Sequence, residues 1–382
     1  SFYTLQAVSY ITDVYRGTVK ADKNPFRVCL FLTFFPQLIE GPICRYSQTA
    51  ESLYNGNDYD SKNIVSGFQL IIWGLFKKII IADRLNVLVN QVFSNYSNYG
   101  GAIIAISVLC YTIQLYCDFS GCMDIVRGSG ELFGIIIPKN FERPFFSGSV
   151  SEFWRRWHMT LGAWFKDYVF YSVSLSKPFV KLSKKTREHM NTFFATFVPM
   201  SIAMFIVWFG TGIWHGASWK YVMYGLYYWA IMVIGLLMEP LFKKLYGKMN
   251  VDRQGKVYRL LQVVRTFIFV NVGMLMFRAD DLTAFGHMFV SMFRGFTFAD
   301  LTNGTLLGMK LDMADFAVLA VGALILFLVG LYKEKGHQIR AELATKNIAL
   351  RWAVYYVLLF GVIILGAYGK GYEVAGFIYA QF

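Results

Sequence analysis

The chain has 382 residues, of which 56% are hydrophobic, 18% aromatic and only 16% charged. A soluble domain carries about 25% charged residues, so this composition excludes a water-soluble globular protein and favours a membrane protein. The formal net charge is +13. In a membrane protein such an excess is typical of basic cytoplasmic loops, so we expect the lipid bilayer, and no nucleic acid, among its partners.

Long apolar runs recur along the chain and approach the ~20 residues that a helix needs to cross a bilayer. They cover 102–117, 192–209, 221–238, 315–332 and 352–368. The sequence therefore predicts an all-α, polytopic membrane protein. It contains no evident internal repeat and no soluble domain, so we expect a single membrane-embedded domain over residues 1–382.

The hydrophobic pattern predicts a series of helices in chain order. They cover 2–16, 26–42, 64–93, 101–121, 149–174, 192–213, 217–238, 257–278, 282–296, 313–332 and 350–368. Residues 45–62 are polar and are predicted to form a loop. The segment 149–174 is too charged to span a bilayer, and an interfacial position is expected for it.

Basic residues cluster in three connecting segments. These lie at 177–187, 243–259 and 333–351. The positive-inside rule predicts that such segments are cytoplasmic, where we expect them to contact anionic lipid headgroups. The first two flank the predicted spans 192–213 and 217–238 on one side. The turn between these spans, which carries His215, is therefore expected on the side away from the cytoplasm.

Glu40 interrupts an otherwise apolar pattern. Pro36, Gly41 and Pro42 surround it and break the predicted helix 26–42. Non-helical backbone at membrane depth is tolerated where protein or a water-filled cavity surrounds it. Both a plain helix end and a functional break therefore remain open.

A second polar group lies near the end of the predicted helix 101–121. It comprises Gln114, Asp118 and Asp124. These side chains fit either the lining of a polar cavity or helix capping, and the sequence leaves both interpretations open.

The five cysteines show no metal-binding or redox pattern. They are Cys29, Cys44, Cys110, Cys117 and Cys122. None forms a CxxC pair, and no His/Cys cluster has zinc spacing. We expect reduced packing residues and no metal site.

The segment 149–174 reads as one amphipathic helix with an aromatic stripe. At 100° per residue, one face carries Trp154, Trp157, Leu161, Trp164, Phe165 and Tyr168. His158 lies at the edge of that face, and Ser149 with Glu152 fits a capping box. The pattern alone is equally consistent with a structural interfacial anchor.

Two of the five histidines are candidates for chemistry. His215 lies in Thr-Gly-Ile-Trp-His-Gly-Ala-Ser-Trp between two of the most apolar runs, and His158 is likewise bracketed by tryptophan. An ionisable residue in such a context is costly and is often functional. His189, His287 and His337 are interpreted as structural or solvated. Spacing alone does not name a reaction, and a packed structural histidine stays open for both candidates.

Six stretches together resemble the membrane-bound O-acyltransferase (MBOAT) family, in family order over nearly the whole chain. They are 1–17 (SFYTLQAVSYITDVYRG), 34–45 (FFPQLIEGPICR), 111–124 (YTIQLYCDFSGCMD), 140–171 (NFERPFFSGSVSEFWRRWHMTLGAWFKDYVFY), 214–225 (WHGASWKYVMYG) and 276–280 (MFRAD). The most specific signal is the pair WRRWHMTL and WHGASW. The chain is most similar to the bacterial branch that includes the alginate O-acetyltransferase membrane subunit.

The chain departs from that family in two respects. Residues 171–174 lack the Tyr-Ile-Pro-Leu-Gly type of run that relatives often have there, which puts the local shape after 149–174 in doubt. Family members also carry further residues before the point that corresponds to Ser1, so we expect the natural protein to extend in that direction.

The resemblance implies a helical bundle with broken and interfacial helices around a transmembrane tunnel or funnel. It implies a bacterial, multi-pass protein of the cytoplasmic membrane. The activity implied is O-acyl transfer from a cytoplasmic thioester, acetyl-CoA being the expected donor substrate, with no bound cofactor. The implied acceptor is an extracytoplasmic polysaccharide or an accessory SGNH-type transferase.

The resemblance also implies roles for individual residues. The histidine of the WHG motif is held to be catalytic, which corresponds to His215, and the second functional histidine corresponds to His158. We expect His215 to be a general base, and His158 to orient substrate or stabilise an oxyanion. The remaining candidate substrate-binding residues are Trp214, Arg155, Arg156, Trp157, Asp118 and Ser120. For the two arginines, contact with donor phosphates and an interfacial charge pair both stay open.

Two alternative functions remain at this point. One is D-alanyl transfer to teichoic acid from a carrier protein, within the same family. The other is transport of a lipid-linked sugar. Against transport, the sequence has no inverted repeat and no paired broken helices.

Overall fold

The computed structural model describes residues 2–38, 40–368, 372, 376 and 377. Within these residues the regular structure is helical and contains no strand. The α-helices are α1 (Phe2–Tyr15), α2 (Pro25–Thr33), α3 (Tyr46–Asn55), α4 (Ser61–Leu75), α5 (Asp83–Ser94), α6 (Gly101–Leu132), α7 (Val150–Arg156), α8 (Met159–Trp164), α9 (Tyr171–Ser174), α10 (Lys177–His189), α11 (Thr192–His215), α12 (Trp219–Lys248), α13 (Lys256–Arg278), α14 (Leu282–Arg294), α15 (Met313–Glu334), α16 (Ile339–Ala344) and α17 (Ile348–Leu365). Two π-helical segments, Phe76–Ala82 and Phe165–Phe170, join α4 to α5 and α8 to α9.

Seven described segments are long and apolar enough to cross a membrane. They are Ser61–Ser94, Gly101–Leu132, Thr192–His215, Trp219–Lys248, Lys256–Arg278, Met313–Glu334 and Ile348–Leu365. A run of this length and hydropathy is stable as a helix in lipid because its backbone groups are paired within the segment. The predicted all-α, polytopic membrane fold is thereby confirmed.

The chain divides into two compact units. Unit 1 comprises residues 1–141 and 286–382, and unit 2 comprises 142–285. Each unit has its own interior. The expectation of one membrane-embedded domain over 1–382 stays a prediction.

In unit 1, α4 and α6 run antiparallel and approach each other at glycines. A Cβ atom at Gly74 would lie 2.5 Å from the carbonyl oxygen of Gly121, and one at Gly128 would lie 2.5 Å from that of Gly67. Glycine is required because any side chain at these points would push the backbones apart. This is the small-residue packing typical of membrane helices.

The π-helical segment that follows α4 carries two adjacent lysines into the same interior. Lys77 and Lys78 are 2% and 7% exposed, and both bond to side chains of α6. π-helical turns inside long helices often occur at functional positions. The interior of unit 1 is therefore ionic as well as apolar.

In unit 2, α11 and α12 form a hairpin that also closes on glycines. A Cβ atom at Gly225 would lie 2.3 Å from the carbonyl oxygen of Trp208, and one at Gly212 would lie 2.6 Å from that of Tyr221. The short connection between the two helices places His215 at the tip of the hairpin.

The predicted helix 149–174 is wrong as one continuous helix. The capping function of Ser149 is confirmed, since its Oγ accepts a hydrogen bond from Glu152 N at 3.1 Å. The helix nevertheless ends at Arg156 and resumes at Met159, with His158 in the left-handed conformation. The carbonyl of Arg156 accepts a hydrogen bond from Glu142 N at 2.9 Å. A contact with a distant segment thus replaces continuation of the helix.

Several predicted boundaries also need correction. The segment 45–62 contains α3 and is not all loop, and the predicted helix 101–121 continues to Leu132. The predicted break at Glu40 is confirmed, because α2 ends at Thr33 and regular α-helix resumes only at Tyr46.

All three basic segments are more helical than predicted. Residues 177–187 belong to α10, and most of 243–259 forms the end of α12 and the start of α13. The segment 333–351 contains the end of α15, all of α16 and the start of α17. Lysine and arginine are good helix formers, so a basic stretch next to a span readily extends the helix. Only residues 249–255 remain as the connection between α12 and α13.

Candidate active site

His215 is the last residue of α11, and the residue after it makes the helix end there. Gly216 has φ +147°, and a Cβ atom on it would lie 2.9 Å from the ring of Tyr221. Glycine is required at this position on both counts, since L side chains rarely adopt such a φ. The His-Gly pair of the motif thus ends the helix and leaves the imidazole beside the first turn of α12.

Aromatic rings surround the His215 imidazole, which is 6% exposed. The ring-centroid distances are 4.9 Å to Trp214, 5.2 Å to Phe277, 5.9 Å to Tyr224 and 6.3 Å to Tyr221. Phe277 comes from the end of α13, so three helices of unit 2 contribute to the enclosure. The imidazole is therefore enclosed by aromatic rings.

His158 joins the same aromatic cluster from the break between α7 and α8. It is 3% exposed, and its ring centroid lies 6.1 Å from that of Trp214. Burial, with a smaller contribution from the neighbouring His215, holds the pKa of His158 well below its usual value. His158 is therefore neutral at pH 7. The structure brings together the two histidines that the sequence singled out.

Trp154 lies within α7 and Trp157 directly follows it, and the two tryptophans differ in their surroundings. Trp154 packs against Tyr228 at 4.7 Å and Trp208 at 5.2 Å between ring centroids. Trp157 is 2% exposed and stacks on Phe153 at 5.4 Å. Trp157 therefore packs in the interior of unit 2, which is a structural contact.

Tyr221, Tyr224 and Phe277 were missed by sequence reasoning. The spacing of Tyr221, Tyr224 and Tyr228 places them on one face of α12, and that signal was available. Nothing in the local sequence links Phe277 to His215, because it lies on another helix.

Arg155 and Arg156 are adjacent but have different environments. Arg155 is exposed, and among the described residues its side chain bonds locally, to Ser151 Oγ at 2.9 Å. Arg156 pairs with Glu152 at 2.8 Å, and the same carboxylate binds Arg259 at 3.1 Å. These arginines, with the hydrogen bond from Gly148 N, lower the pKa of Glu152. Arg156 is thus part of a structural network, whereas Arg155 is accessible.

Asp118 and Ser120 belong to unit 1, where lysines hold both. Asp118 Oδ1 lies 2.6 Å from Lys78 Nζ, and Ser120 Oγ lies 2.9 Å from Lys77 Nζ. Their predicted role in substrate binding stays a prediction. Among the described residues, no group of three or more His, Cys, Asp or Glu side chains is placed to hold a metal ion.

The sequence of this chain matches the model of a known protein family. The model of the membrane-bound O-acyltransferase family matches residues 18–277, a range that includes both histidines. The chain belongs to the membrane-bound O-acyltransferase family. The predicted resemblance is confirmed.

Three curated MBOAT relatives show the range of named activities. The chain is 30% identical to the probable alginate O-acetylase AlgI of Azotobacter vinelandii over 87% of its own length and 60% of the relative. It is 28% identical to a peptidoglycan O-acetyltransferase of Helicobacter pylori, over 74% of the chain and 54% of the relative. It is 29% identical to a teichoic acid D-alanyltransferase of Bacillus subtilis, over 72% and 67% respectively. The chain spans about 60% of the length of the first of these MBOAT proteins.

Proposed function

We propose that this protein is a membrane-bound O-acyltransferase that moves an acetyl group from a cytoplasmic thioester to an extracytoplasmic hydroxyl. The proposal rests on one observation. The buried imidazoles of His158 and His215 both pack against the indole of Trp214, within an MBOAT domain. Two buried histidines in contact with one aromatic ring are costly for stability alone. A reaction that transfers a proton accounts for both.

His215 acts as the general base in this proposal. Its imidazole takes the proton of the acceptor hydroxyl while the oxygen attacks the thioester carbonyl carbon. The new C–O bond forms, the C–S bond breaks, and the thiolate leaves with the proton that His215 carried. The products are an ester and a thiol, and His215 returns to its neutral form.

His158 stays neutral and acts as a hydrogen-bonding partner. A neutral imidazole has one N–H donor and one acceptor, so it is able to orient the hydroxyl or to donate to the developing oxyanion. Its lowered pKa suits that role, because a protonated His158 would add a buried positive charge beside His215.

The proposed orientation of the chain in the membrane follows from the positions of its basic residues. The ends of α11 and α12 opposite His215 adjoin α10 and the 249–255 connection, whose flanks are rich in lysine and arginine. By the positive-inside rule these ends are cytoplasmic, and His215 lies at the outer end. We infer a bacterial cytoplasmic membrane, with acetyl-CoA as donor. The acceptor is a polysaccharide or an SGNH-type accessory transferase.

D-alanyl transfer from a carrier protein is the second candidate. The similarity to a D-alanyltransferase over 72% of the chain favours it as an alternative donor chemistry. The same histidine chemistry applies, because both donors are thioesters. Family membership weighs against the lipid-linked sugar transporter.

The first test replaces His215 by alanine and measures acetyl esters on cell-surface glycans. Because positioned general bases contribute roughly 100- to 10,000-fold to rate, we expect H215A to lower acetylation at least ~100-fold. The matched control is H189A, since His189 is an exposed residue of α10. Full acetylation by a folded H215A variant would refute the general-base role.

A second test separates the two donors. The purified protein is supplied with labelled acetyl-CoA or with D-alanyl carrier protein, and transfer to a hydroxyl acceptor is followed. Transfer from acetyl-CoA supports O-acetylation. Transfer from the charged carrier alone would replace it by D-alanylation.

A further inference from the structure

Glu40 is a buried carboxylic acid in the tight turn that follows α2. It is 3% exposed and lies outside the seven candidate spans. A Cβ atom at the next residue, Gly41, would lie 2.8 Å from Gln37 Cα, so the turn folds closely back on itself. The turn holds the Glu40 side chain inside unit 1 and away from solvent.

The carboxyl group of Glu40 has no conventional hydrogen-bond partner among the described residues, although both oxygens are buried. Its neighbours on α6 are the carboxylate of Asp118 and the thiol of Cys122, which is only a weak donor. Lys78 is near, but its ammonium group pairs with Asp118 at 2.6 Å and Asp83 at 2.8 Å. It also donates to the carbonyl of Gly376 at 3.4 Å.

Among the described residues, the ion pairs connected to Lys77 and Lys78 contain as many cations as carboxylates without Glu40. Three cations, Lys77, Lys78 and Arg127, pair with three carboxylates, Asp83, Asp118 and Asp124. An ionised Glu40 would add a fourth negative charge beside Asp118. A buried charge without a counter-ion is strongly disfavoured, and such a group neutralises instead.

We propose that the carboxyl group of Glu40 is a proton-binding site, occupied at neutral pH, whose loss of the proton makes Glu40 compete with Asp118 for Lys78. Burial first, and then the neighbouring Asp118, raise the pKa of Glu40 to about 8, against smaller opposing effects of Cys122 and Lys78. When Glu40 holds its proton, Lys78 keeps its ion pairs with Asp118 and Asp83. The site gives unit 1 a response to pH that is separate from the histidines of unit 2.

The deciding measurement compares wild type with E40Q by thermal unfolding in detergent from about pH 5 to about pH 9. Glutamine mimics the protonated acid. A group with a raised folded-state pKa costs the wild type stability as the pH rises from the unfolded pKa to the folded one. We therefore expect the two proteins to unfold at nearly the same temperature near pH 5, and E40Q to unfold several degrees higher near pH 9.

The matched control is E51Q, which changes an exposed glutamate of α3. E51Q should show no pH-dependent difference from wild type. A difference between E40Q and wild type that does not change with pH would overturn the proposal, because it would mean that folding leaves the protonation of Glu40 unaltered.

If E40Q does not fold, chemical labelling of Glu40 in the wild-type protein tests the proposal. A hydrophobic carbodiimide adds to protonated carboxyl groups and leaves carboxylates unmodified. We expect modification of the peptide that contains Glu40 near pH 6 and little near pH 9, as quantified by mass spectrometry. A label on Glu40 that is absent near pH 6, or that is equal at both pH values, would overturn the proposal.

Discussion

The indole of Trp214 meets the imidazole of His158 edge to face, with the two ring centroids 6.1 Å apart. The same indole lies 4.9 Å from the ring of His215, its neighbour in sequence. One side chain therefore packs against both histidines, one of which comes from the break between α7 and α8 and the other from the end of α11. This shared contact predicts that Trp214 positions the two imidazoles relative to each other.

Replacement of Trp214 by alanine should lower acyl transfer while leaving the fold intact. Small displacements of catalytic groups cost up to about 100-fold in rate, and we expect a loss of about 10- to 100-fold for W214A. W214F keeps an aromatic ring and should lose less. The measurement is the initial rate of acetyl transfer by purified protein.

The control for this variant lies in the same turn. Trp219 is 73% exposed, so W219A removes an indole of equal size without disturbing the histidines. Equal losses for W214A and W219A would count against a positioning role for Trp214.

The backbone of His158 provides a test of the helix break. Its φ of 45° places it in the left-handed region, which costs a non-glycine residue about 1 kcal/mol or more. Glycine carries no such cost, so H158G should be more stable to unfolding than H158A by about 1 kcal/mol. Thermal unfolding of the two variants measures this difference.

The order should reverse in a regular helix. Lys185 is an exposed residue inside α10, where glycine is less stable than alanine by about 1 kcal/mol. K185G should therefore unfold before K185A. If H158G also unfolded before H158A, the left-handed conformation at His158 would be wrong.

Substitutions of Arg155 and Arg156 should affect different properties, donor binding for Arg155 and stability for Arg156. In the proposed reaction with acetyl-CoA as donor, loss of exposed Arg155 should remove a contact with the donor phosphates and raise KM for acetyl-CoA several-fold, with no change in unfolding temperature. Loss of Arg156 breaks its pair with Glu152 and should cost about 0.5–1 kcal/mol of stability.

The KM for the donor and the unfolding midpoint of each variant check this assignment. R155K keeps the charge and loses the planar fork, so it should restore part of the affinity. An unchanged KM in R155A would leave Arg155 as a surface charge with no part in donor binding.

The spans were predictable because lipid imposes a simple length requirement. The spans predicted at 192–213 and 257–278 begin within one residue of α11 and α13. Hydropathy carries that information locally. It also located His215 at a turn between two spans.

The break at His158 was not predictable from local sequence. No proline or glycine marks it, and the aromatic stripe of 149–174 fits a continuous helix. The break depends on the bond from Glu142 N to the carbonyl of Arg156, and on the packing of His158 against Trp214. Such contacts between distant segments leave no periodic signal.

The π-helical segment Phe76–Ala82 has a consequence for insertions and deletions. A wide turn of this kind holds one more residue than an α-helical turn over the same rise. Removal of one residue there would leave a continuous α-helix with α5 in nearly its present rotation, whereas straightening the turn with all its residues kept would rotate α5 by about 100° relative to α4. In the straightened helix Asp83, five residues after Lys78, would face away from it, although the two are now paired at 2.8 Å. The wide turn therefore sets the rotational register of the second half of a membrane span.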